Sequence, residues 1–219
     1  MDVAGTVPDG PAPMGRRGPA EEGKIGPVPG ARLLVPLALF ALLFASPAAS
    51  RKPLPGLMTG PAPWPSNAAL LRARLAAIGL PALRSEGLRL HTHQHLDLVV
   101  DGRLVPVPAG IGIDPRGRFI AELHTHDASG IIHVEAPRLR RFTLGEFFDV
   151  WGLRFSARCL GGYCARGARK VWVFVNGRRV LGDPRQIPLR QHDEIVVAYG
   201  TLASIPKPIP RAFPFPPGL

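Results

Sequence analysis

The sequence contains few cysteines, and their number and placement narrow the kinds of site it can form. There are only two, Cys159 and Cys164. No cysteine lies near the end of the N-terminal apolar segment, which argues against a lipoprotein anchor. The C-x4-C spacing differs from that of the common zinc and thioredoxin motifs. Because Gly161 and Gly162 can form a turn between the two thiols, we predict a small disulfide loop, with metal-thiolate or redox use as the alternative.

Lysine is also scarce, since arginine outnumbers it 23 to 4 within a formal net charge of +11. Most of the basic excess lies between Arg138 and Arg190, where 12 basic residues accompany three acidic ones. The aromatic residues of this region do not alternate with the basic ones in the pattern that a nucleic-acid platform requires, so no nucleic-acid partner is expected. The region is either a solvated surface or one that attracts anionic lipid or an acidic protein.

Familiar catalytic motifs are missing as well. No serine or cysteine nucleophile pattern is visible. Gly110 and Gly112 do not begin a dinucleotide fingerprint, because Pro115 stands where the third glycine would be. These absences remove the commonest enzyme classes, and the sequence does not decide whether the protein is an enzyme.

Proline and glycine are abundant, with 26 and 25 residues, and they divide the chain. Residues 1–31 and 205–219 are Pro-rich without periodicity, which predicts disordered or polyproline-like ends. Residues 51–66 are predicted to be a linker. The folded domain is therefore expected within residues 67–204, which is long enough for one modest core.

A 13-residue apolar run, residues 33–45, lies near the N-terminus. Basic residues precede it and the small-residue stretch SPAAS follows, the order of a secretory signal. We interpret residues 32–50 as a signal peptide or, if uncleaved, a single membrane anchor. Either reading predicts an exported, extracytoplasmic protein, and the membrane is a partner only in the second.

The segment after the linker predicts a small α+β fold, with a mainly antiparallel sheet built of hairpins and one or two short helices. A helix is expected after Ser66, and a second, with a Thr-x-x-Glu capping box, from Thr143 to Gly152. Hairpin turns are predicted at three dipeptides, and HDEIVVAYG forms the last strand. The three dipeptides are Asp101-Gly102, Ala128-Ser129 and Asn176-Gly177.

Six of the seven histidines fall in two short windows, the first with His91, His93 and His95 and the second with His124, His126 and His133. Within each run the histidines occupy every second position, and His133 lies across the predicted hairpin from His124. On a strand this spacing places each group on one face, opposite the apolar residues. In the second hairpin, His124 should lie opposite His133, and Glu122 opposite Glu135. Two carboxylates so placed repel each other unless a cation lies between them.

Imidazoles and carboxylates together are suitable ligands for a transition metal, with copper or zinc favoured. The alternative is that the histidines are structural or face solvent, as we expect for His192 in its polar turn. Whether the two windows form one site or two is left open. The predicted ligands are His91, His93, His95, His124, His126, His133 and Glu135, with Asp97, Glu122 and Asp127 as additional or supporting groups.

Three functions are compatible with this pattern. The first is an extracytoplasmic protein that handles or senses a metal ion. The second is a small metal-dependent enzyme with Glu135 or Glu122 as general base. The third is a module that binds an as yet unknown protein partner, in which the histidines are incidental.

Four segments carry a resemblance to a known family. LHTHQHLDLVVDGRLVPVPAGIGID, ELHTHDASGIIHVEAP, FTLGEFFDVWG and VFVNGRRV…HDEIVVAYG resemble an uncharacterised prokaryotic membrane-targeted family with HxHxH and HTHD…GxIHxE motifs. The resemblance covers about residues 67–200 and implies an N-terminal hydrophobic segment followed by this domain, with no known activity. The C-terminal part also resembles a β-grasp module, which implies a ubiquitin-like arrangement there.

Overall fold

The computed structural model describes residues 53–219, and the predicted α+β class is confirmed. Residues 1–31 and the predicted signal or anchor at 32–50 lie outside the described residues. Within residues 53–219 no helix has the length and apolar character needed to cross a membrane. The helices are α1 (Leu71–Ile78) and α2 (Leu144–Trp151), with short 3-10 helices at Ala68–Leu70, Pro184–Gln186 and Leu202–Ser204. The strands are β1 (Leu90–Val100), β2 (Arg103–Val105), β3 (Leu123–His124), β4 (Ile131–Ala136), β5 (Cys159–Leu160), β6 (Tyr163–Cys164), β7 (Lys170–Val175), β8 (Arg178–Arg179) and β9 (Glu194–Gly200).

The long strand β1 organises the main sheet, whose order is β3-β4-β1-β9-β7-β8. The first half of β1 pairs antiparallel with β4, and its last three residues pair with β2. On its other side β1 runs parallel to β9, while β7 pairs antiparallel with β9 and β8. Because β9 bonds directly to β1, the C-terminal strands belong to the same sheet as the histidine-bearing strands.

Two of the predicted hairpin turns have the backbone that their sequences favour. Asp101 and Gly102 have φ of 48° and 82°, and Asn176 and Gly177 have φ of 50° and 76°. Two consecutive positive φ values define the type I′ turn, which Asn-Gly and Asp-Gly form at low cost. The first turn sets the register of β1 with β2, in which Leu98 pairs with Val105.

Helix α2 begins with the predicted capping box. The Thr143 hydroxyl accepts the Glu146 backbone N–H, and the Glu146 carboxylate accepts the Thr143 backbone N–H. The helix ends at Gly152, whose φ is 74°. Its Phe147, Phe148 and Trp151 side chains are buried in the main core, on the sheet face that carries Leu96 and Leu98.

The segment predicted as a linker, residues 51–66, is part of the fold where the structure describes it. Trp64 is buried against the main core, and the Met58 backbone N–H donates to the Gly152 carbonyl. The predicted cap at Ser66 is replaced by a 3-10 turn at Ala68–Leu70, and α1 has no side-chain cap. The sequence predicted the approximate position of α1 but not the 3-10 turn with which it begins.

The second face of the sheet has its own small apolar cluster, and the C-terminal tail covers it. Val99, Trp172 and Phe174 lie in this cluster, and Ile205 at the start of the tail packs among them. Residues 205–219 were predicted to be disordered, whereas the structure lays them against the domain without regular secondary structure. The difference arises because this face of the sheet has apolar side chains that need cover, which composition alone does not reveal.

The two cysteines form a small hairpin of their own. Cys159 in β5 pairs with Cys164 in β6, and a disulfide joins them. Both cysteines of the sequence are therefore used, and neither is a free thiol.

Candidate metal centre

Strand order brings the two histidine windows together. Strand β4 lies between β1 and β3, so its residues have neighbours on both sides. His133 in β4 pairs with His93 in β1 and with His124 in β3. Glu135, two residues further along β4, pairs with His91. Side chains at paired positions are about 5 Å apart at Cβ, so the two windows meet on one face.

Five imidazole rings, including that of His133, lie close together. The ring centroid of His133 lies 4.7 Å from that of His93, 5.3 Å from that of His124 and 4.5 Å from that of His126. Nε2 of His91 lies 3.1 Å from Nε2 of His93. Nε2 of His124 lies 3.2 Å from Nε2 of His126. We call these five residues and Glu135 the histidine cluster.

The Glu135 carboxylate lies among these rings. Its Oε1 is 3.2 Å from Nε2 of His91, 3.2 Å from Nδ1 of His133 and 3.9 Å from Nε2 of His124. Burial and the neighbouring carboxylate of Glu86 raise the pKa of Glu135 to about 7. The like-charge neighbour expected for Glu135 was Glu122, and the structure supplies Glu86 in that role.

Ligand atoms in the cluster are close enough to share an ion. Two sets, each with all of its ligand atoms within 4.8 Å of one another, could hold a metal ion. Imidazole nitrogen and carboxylate oxygen are the donor types that zinc and copper take in proteins. The first set is His91, His93, His133 and Glu135, and the second is His124, His126, His133 and Glu135.

Burial keeps most of these rings in the neutral form that metal coordination needs. It lowers the pKa of His93 and of His124 to about 4, and that of His133 to about 3. Neighbouring imidazoles lower these pKa values further, because a second positive charge nearby is unfavourable. At neutral pH the three buried rings therefore offer lone pairs rather than positive charges.

One ring is also held in the orientation of a typical metal ligand. Nδ1 of His124 lies 3.0 Å from the Ala121 carbonyl, so it carries the proton and donates it. That bond leaves the lone pair on Nε2, which faces His126 and Glu135. A second hydrogen bond of this kind is how proteins fix the tautomer of histidine ligands.

The loop before β3 holds the HTH segment in place. The Thr125 hydroxyl donates to the Pro108 carbonyl and accepts the Ile111 backbone N–H. Gly112 crosses β3 so closely that a Cβ there would lie 2.2 Å from the Leu123 carbonyl oxygen. The threonine between the two histidines thus fixes the backbone that presents them.

One side of the cluster is open to solvent. The side chains of His91 and His126 are 47% and 44% exposed, whereas those of His93, His124 and His133 are buried. Glu86 lies at this open side, with its carboxylate 3.3 Å from Nε2 of His126. Ions can reach the cluster from here without opening the core.

His95 lies apart from the cluster. Its Nδ1 is 2.7 Å from a Glu194 carboxylate oxygen and its Nε2 is 2.9 Å from the Ser129 carbonyl. Burial lowers the pKa of His95, but the hydrogen bond and charge of Glu194, together with the Ser129 carbonyl, raise it above its ordinary value. With Asp97 and Glu194 it forms a third set that could hold a metal ion by distance. The two acceptors favour a protonated ring, so we assign His95 to an ion pair with Glu194.

The remaining predicted residues lie outside the cluster. Asp127 is exposed and accepts the Ser129 backbone N–H. Glu122 is buried, and its nearest cation is Arg140 at 3.8 Å. His192, predicted as a solvated turn residue, is exposed in its turn.

Sequence reasoning missed two carboxylates that shape these sites. Glu86 precedes β1 in an irregular segment, and Glu194 begins β9, about a hundred residues from His95 in sequence. No periodicity marks either residue. Gly87 is the one local signal, because a Cβ there would lie 2.2 Å from the Ala136 backbone, which shows how closely this segment passes β4.

Comparison with known proteins adds no assignment. No protein-family model matches the chain, and no curated protein or solved structure is significantly similar to it.

Proposed function

We propose that the protein binds a transition metal, copper or zinc, through the histidine cluster, and that it handles or senses the ion. The observation that carries this proposal is the convergence of five imidazoles and one carboxylate, from three adjacent strands and the segment that follows β3, into sets whose ligand atoms lie within 4.8 Å. Imidazole-rich sites favour zinc and copper, whereas magnesium and calcium prefer oxygen ligands.

Metal handling fits the surroundings of the cluster better than catalysis on an organic substrate. A cavity of about 300 Å³ is lined by Leu90, Thr92 and Val134, from the opposite face of β1 and β4, together with Arg140 and Arg190. It contains none of the cluster residues. A metal-dependent enzyme is the second candidate, and the exposed edge at His91 and His126 favours it, because a substrate could approach an ion there.

We also propose that the protein is exported. The order of basic residues, apolar run and small residues in the N-terminal segment supports this, and so does the Cys159–Cys164 disulfide, since such bonds persist in oxidising compartments. Fractionation of expressing cells, with mass determination of the mature N-terminus, tests it. A full-length chain confined to the cytoplasm would contradict it. Membership of the membrane-targeted family stays a prediction.

The test of metal binding is elemental analysis of the purified full chain after dialysis against zinc or copper and then against buffer. We expect stoichiometric metal in the wild type and its loss in a His124→Ala/His133→Ala double variant. His192→Asn is the matched control, because it removes a histidine outside the cluster and asparagine tolerates the positive φ of 60° there. A wild type that takes up neither metal would overturn the proposal and leave a protein-binding module.

A further inference from the structure

The histidine cluster has more ligands than a single ion uses. A structural zinc ion takes four protein ligands, and a catalytic one takes three. The cluster supplies five imidazoles and a carboxylate, arranged as two sets that share His133 and Glu135. What distinguishes the sets is one histidine pair each: His91 with His93, or His124 with His126.

We propose that the cluster is a two-metal centre, in which each histidine pair holds one ion and Glu135 bridges the two. The proposal rests on the proposed metal binding and goes beyond it in stoichiometry and in the division of the ligands. Its first half-site is the pair on β1, and its second is the pair at β3 and the residues that follow it.

Each pair already has the spacing that a shared ion requires. Two imidazole nitrogens bound to one tetrahedral zinc, each about 2.05 Å from it, lie about 3.3 Å apart. The Nε2–Nε2 distances are 3.1 Å for His91 and His93, and 3.2 Å for His124 and His126. A hydrogen bond between two imidazole rings has a similar length. The spacing therefore shows that each pair fits an ion, and a metal titration distinguishes a bound ion from a hydrogen bond.

A single ion cannot serve both pairs. Two nitrogens on the same ion are at most about 4.2 Å apart, twice the bond length. Among the described residues, no set of ligand atoms within 4.8 Å contains both pairs. The pairs come from β1 and β3, which flank β4 and so lie about 10 Å apart at the backbone. They therefore define two positions on either side of β4.

Glu135 is placed to connect these positions. Its Oε1 lies 3.2 Å from Nε2 of His91 in the first half-site and 3.9 Å from Nε2 of His124 in the second. A carboxylate has two oxygens and about four lone-pair sites, so it can ligate two ions at once. Paired ions in proteins are typically about 3.5–4 Å apart, a separation that one carboxylate can span.

The test is a metal titration of the folded full chain, with zinc followed by calorimetry and elemental analysis. We expect about two ions per chain in the wild type, and about one in each of His91→Ala/His93→Ala and His124→Ala/His126→Ala. Loading with Cu²⁺ should give a coupled electron paramagnetic resonance spectrum at about two equivalents, because neighbouring ions interact magnetically. Each half-site variant should give the uncoupled spectrum of an isolated ion.

Control variants and contrary outcomes separate this proposal from the one on which it rests. Glu194→Gln disables the set around His95 and should leave the count at about two. One ion per wild-type chain, or two ions without magnetic coupling, overturns the two-metal centre and leaves metal binding intact. No bound ion overturns both. The wild-type measurements decide the matter even if a double variant fails to fold.

Discussion

His93, His124 and His133 keep neutral rings in the folded, metal-free chain well below pH 6.5, because burial penalises their charged forms. In the unfolded chain the same residues take up protons near pH 6.5. Between that pH and the folded pKa values of about 3 to 4, the unfolded state binds more protons. Stability is then fully present above pH 6.5 and is lost as the pH falls towards 4.

We therefore expect the metal-free protein to be less stable at about pH 5 than at about pH 7. Each such ring contributes up to about 1.4 kcal/mol per pH unit within this window. Glu135, whose pKa is raised to about 7, acts in the opposite direction and offsets about one of these contributions. The raised pKa values of Glu122, Glu194 and His95 act in the same direction as that of Glu135. Urea unfolding of the apoprotein at the two pH values measures the difference. Equal or greater stability at the lower pH would contradict the assignment of neutral buried rings.

At the residue scale, the sequence predicted which histidines share a face but not how they divide. Alternation placed His91, His93 and His95 together, yet only the first two reach the cluster. Alternation fixes the face of a strand, whereas the partner of each residue depends on the neighbouring strand. His95 lies where β1 meets the start of β9, and its ring contacts the Glu194 carboxylate there instead of the cluster.

The capping box of α2 is a short-range feature that the sequence predicted in full. The expected effect of Thr143→Ala is a loss of about 1 kcal/mol in the free energy of unfolding, because the Glu146 backbone N–H loses its acceptor. Thr143→Ser retains a hydroxyl and should cost much less. Chemical denaturation of the three proteins compares them. An alanine variant as stable as the serine variant would show that the cap contributes nothing.

The loop that crosses β3 gives a second prediction at the scale of the element. Gly112 has φ of 72°, and a Cβ there would lie 2.2 Å from the Leu123 carbonyl oxygen and 3.1 Å from Cβ of His124. Alanine at this position must push the loop away from β3 and shift the HTH segment. We expect a loss of at least about 2 kcal/mol in stability and a metal affinity lowered at least about tenfold.

Gly117→Ala is the matched control for the loop. Gly117 also has positive φ, at 65°, but nothing lies within 4 Å of its would-be Cβ. Its backbone strain should cost about 1 kcal/mol and leave the metal affinity unchanged. Calorimetric zinc titration of both variants separates strain from the clash, and equal affinities would refute the positioning role of the loop.

The hairpins of this fold were predictable because a turn and an alternating pattern act within about twenty residues. The order of the strands was not, because the contact of β1 with β4 and with β9 joins segments far apart in sequence. The question left open by the sequence, whether the two histidine windows meet, depends on that order. β4 carries His133 of the second window and pairs directly with β1, which carries the first, and this pairing brings the two windows together.

For the whole molecule, amino-acid composition did not predict that the C-terminal tail covers the second face of the sheet. A Pro-rich stretch without periodicity predicts disorder, since it forms neither helix nor sheet. The tail has no such structure in the fold either, but its side chains have partners. Ile205 is buried with Val99 and Trp172, and the ring of Phe213 stacks on His95 with centroids 3.7 Å apart. The polar and apolar parts of this face are thus covered by one segment.

Removal of residues 211–219 tests whether the tail is part of the fold. The truncated chain retains Ile205 but loses the Phe213 ring on His95 and the Phe215 ring on His192. We expect it to fold with about 1–3 kcal/mol less stability, because two aromatic contacts are lost. Amide hydrogen exchange along β1 near His95 should become faster, since this part of the sheet loses its cover.

Pro214→Ala, which alters an exposed residue between the two rings, should change neither property. If truncation leaves both stability and exchange unchanged, the tail does not pack on the sheet in solution and the disorder predicted from composition is correct.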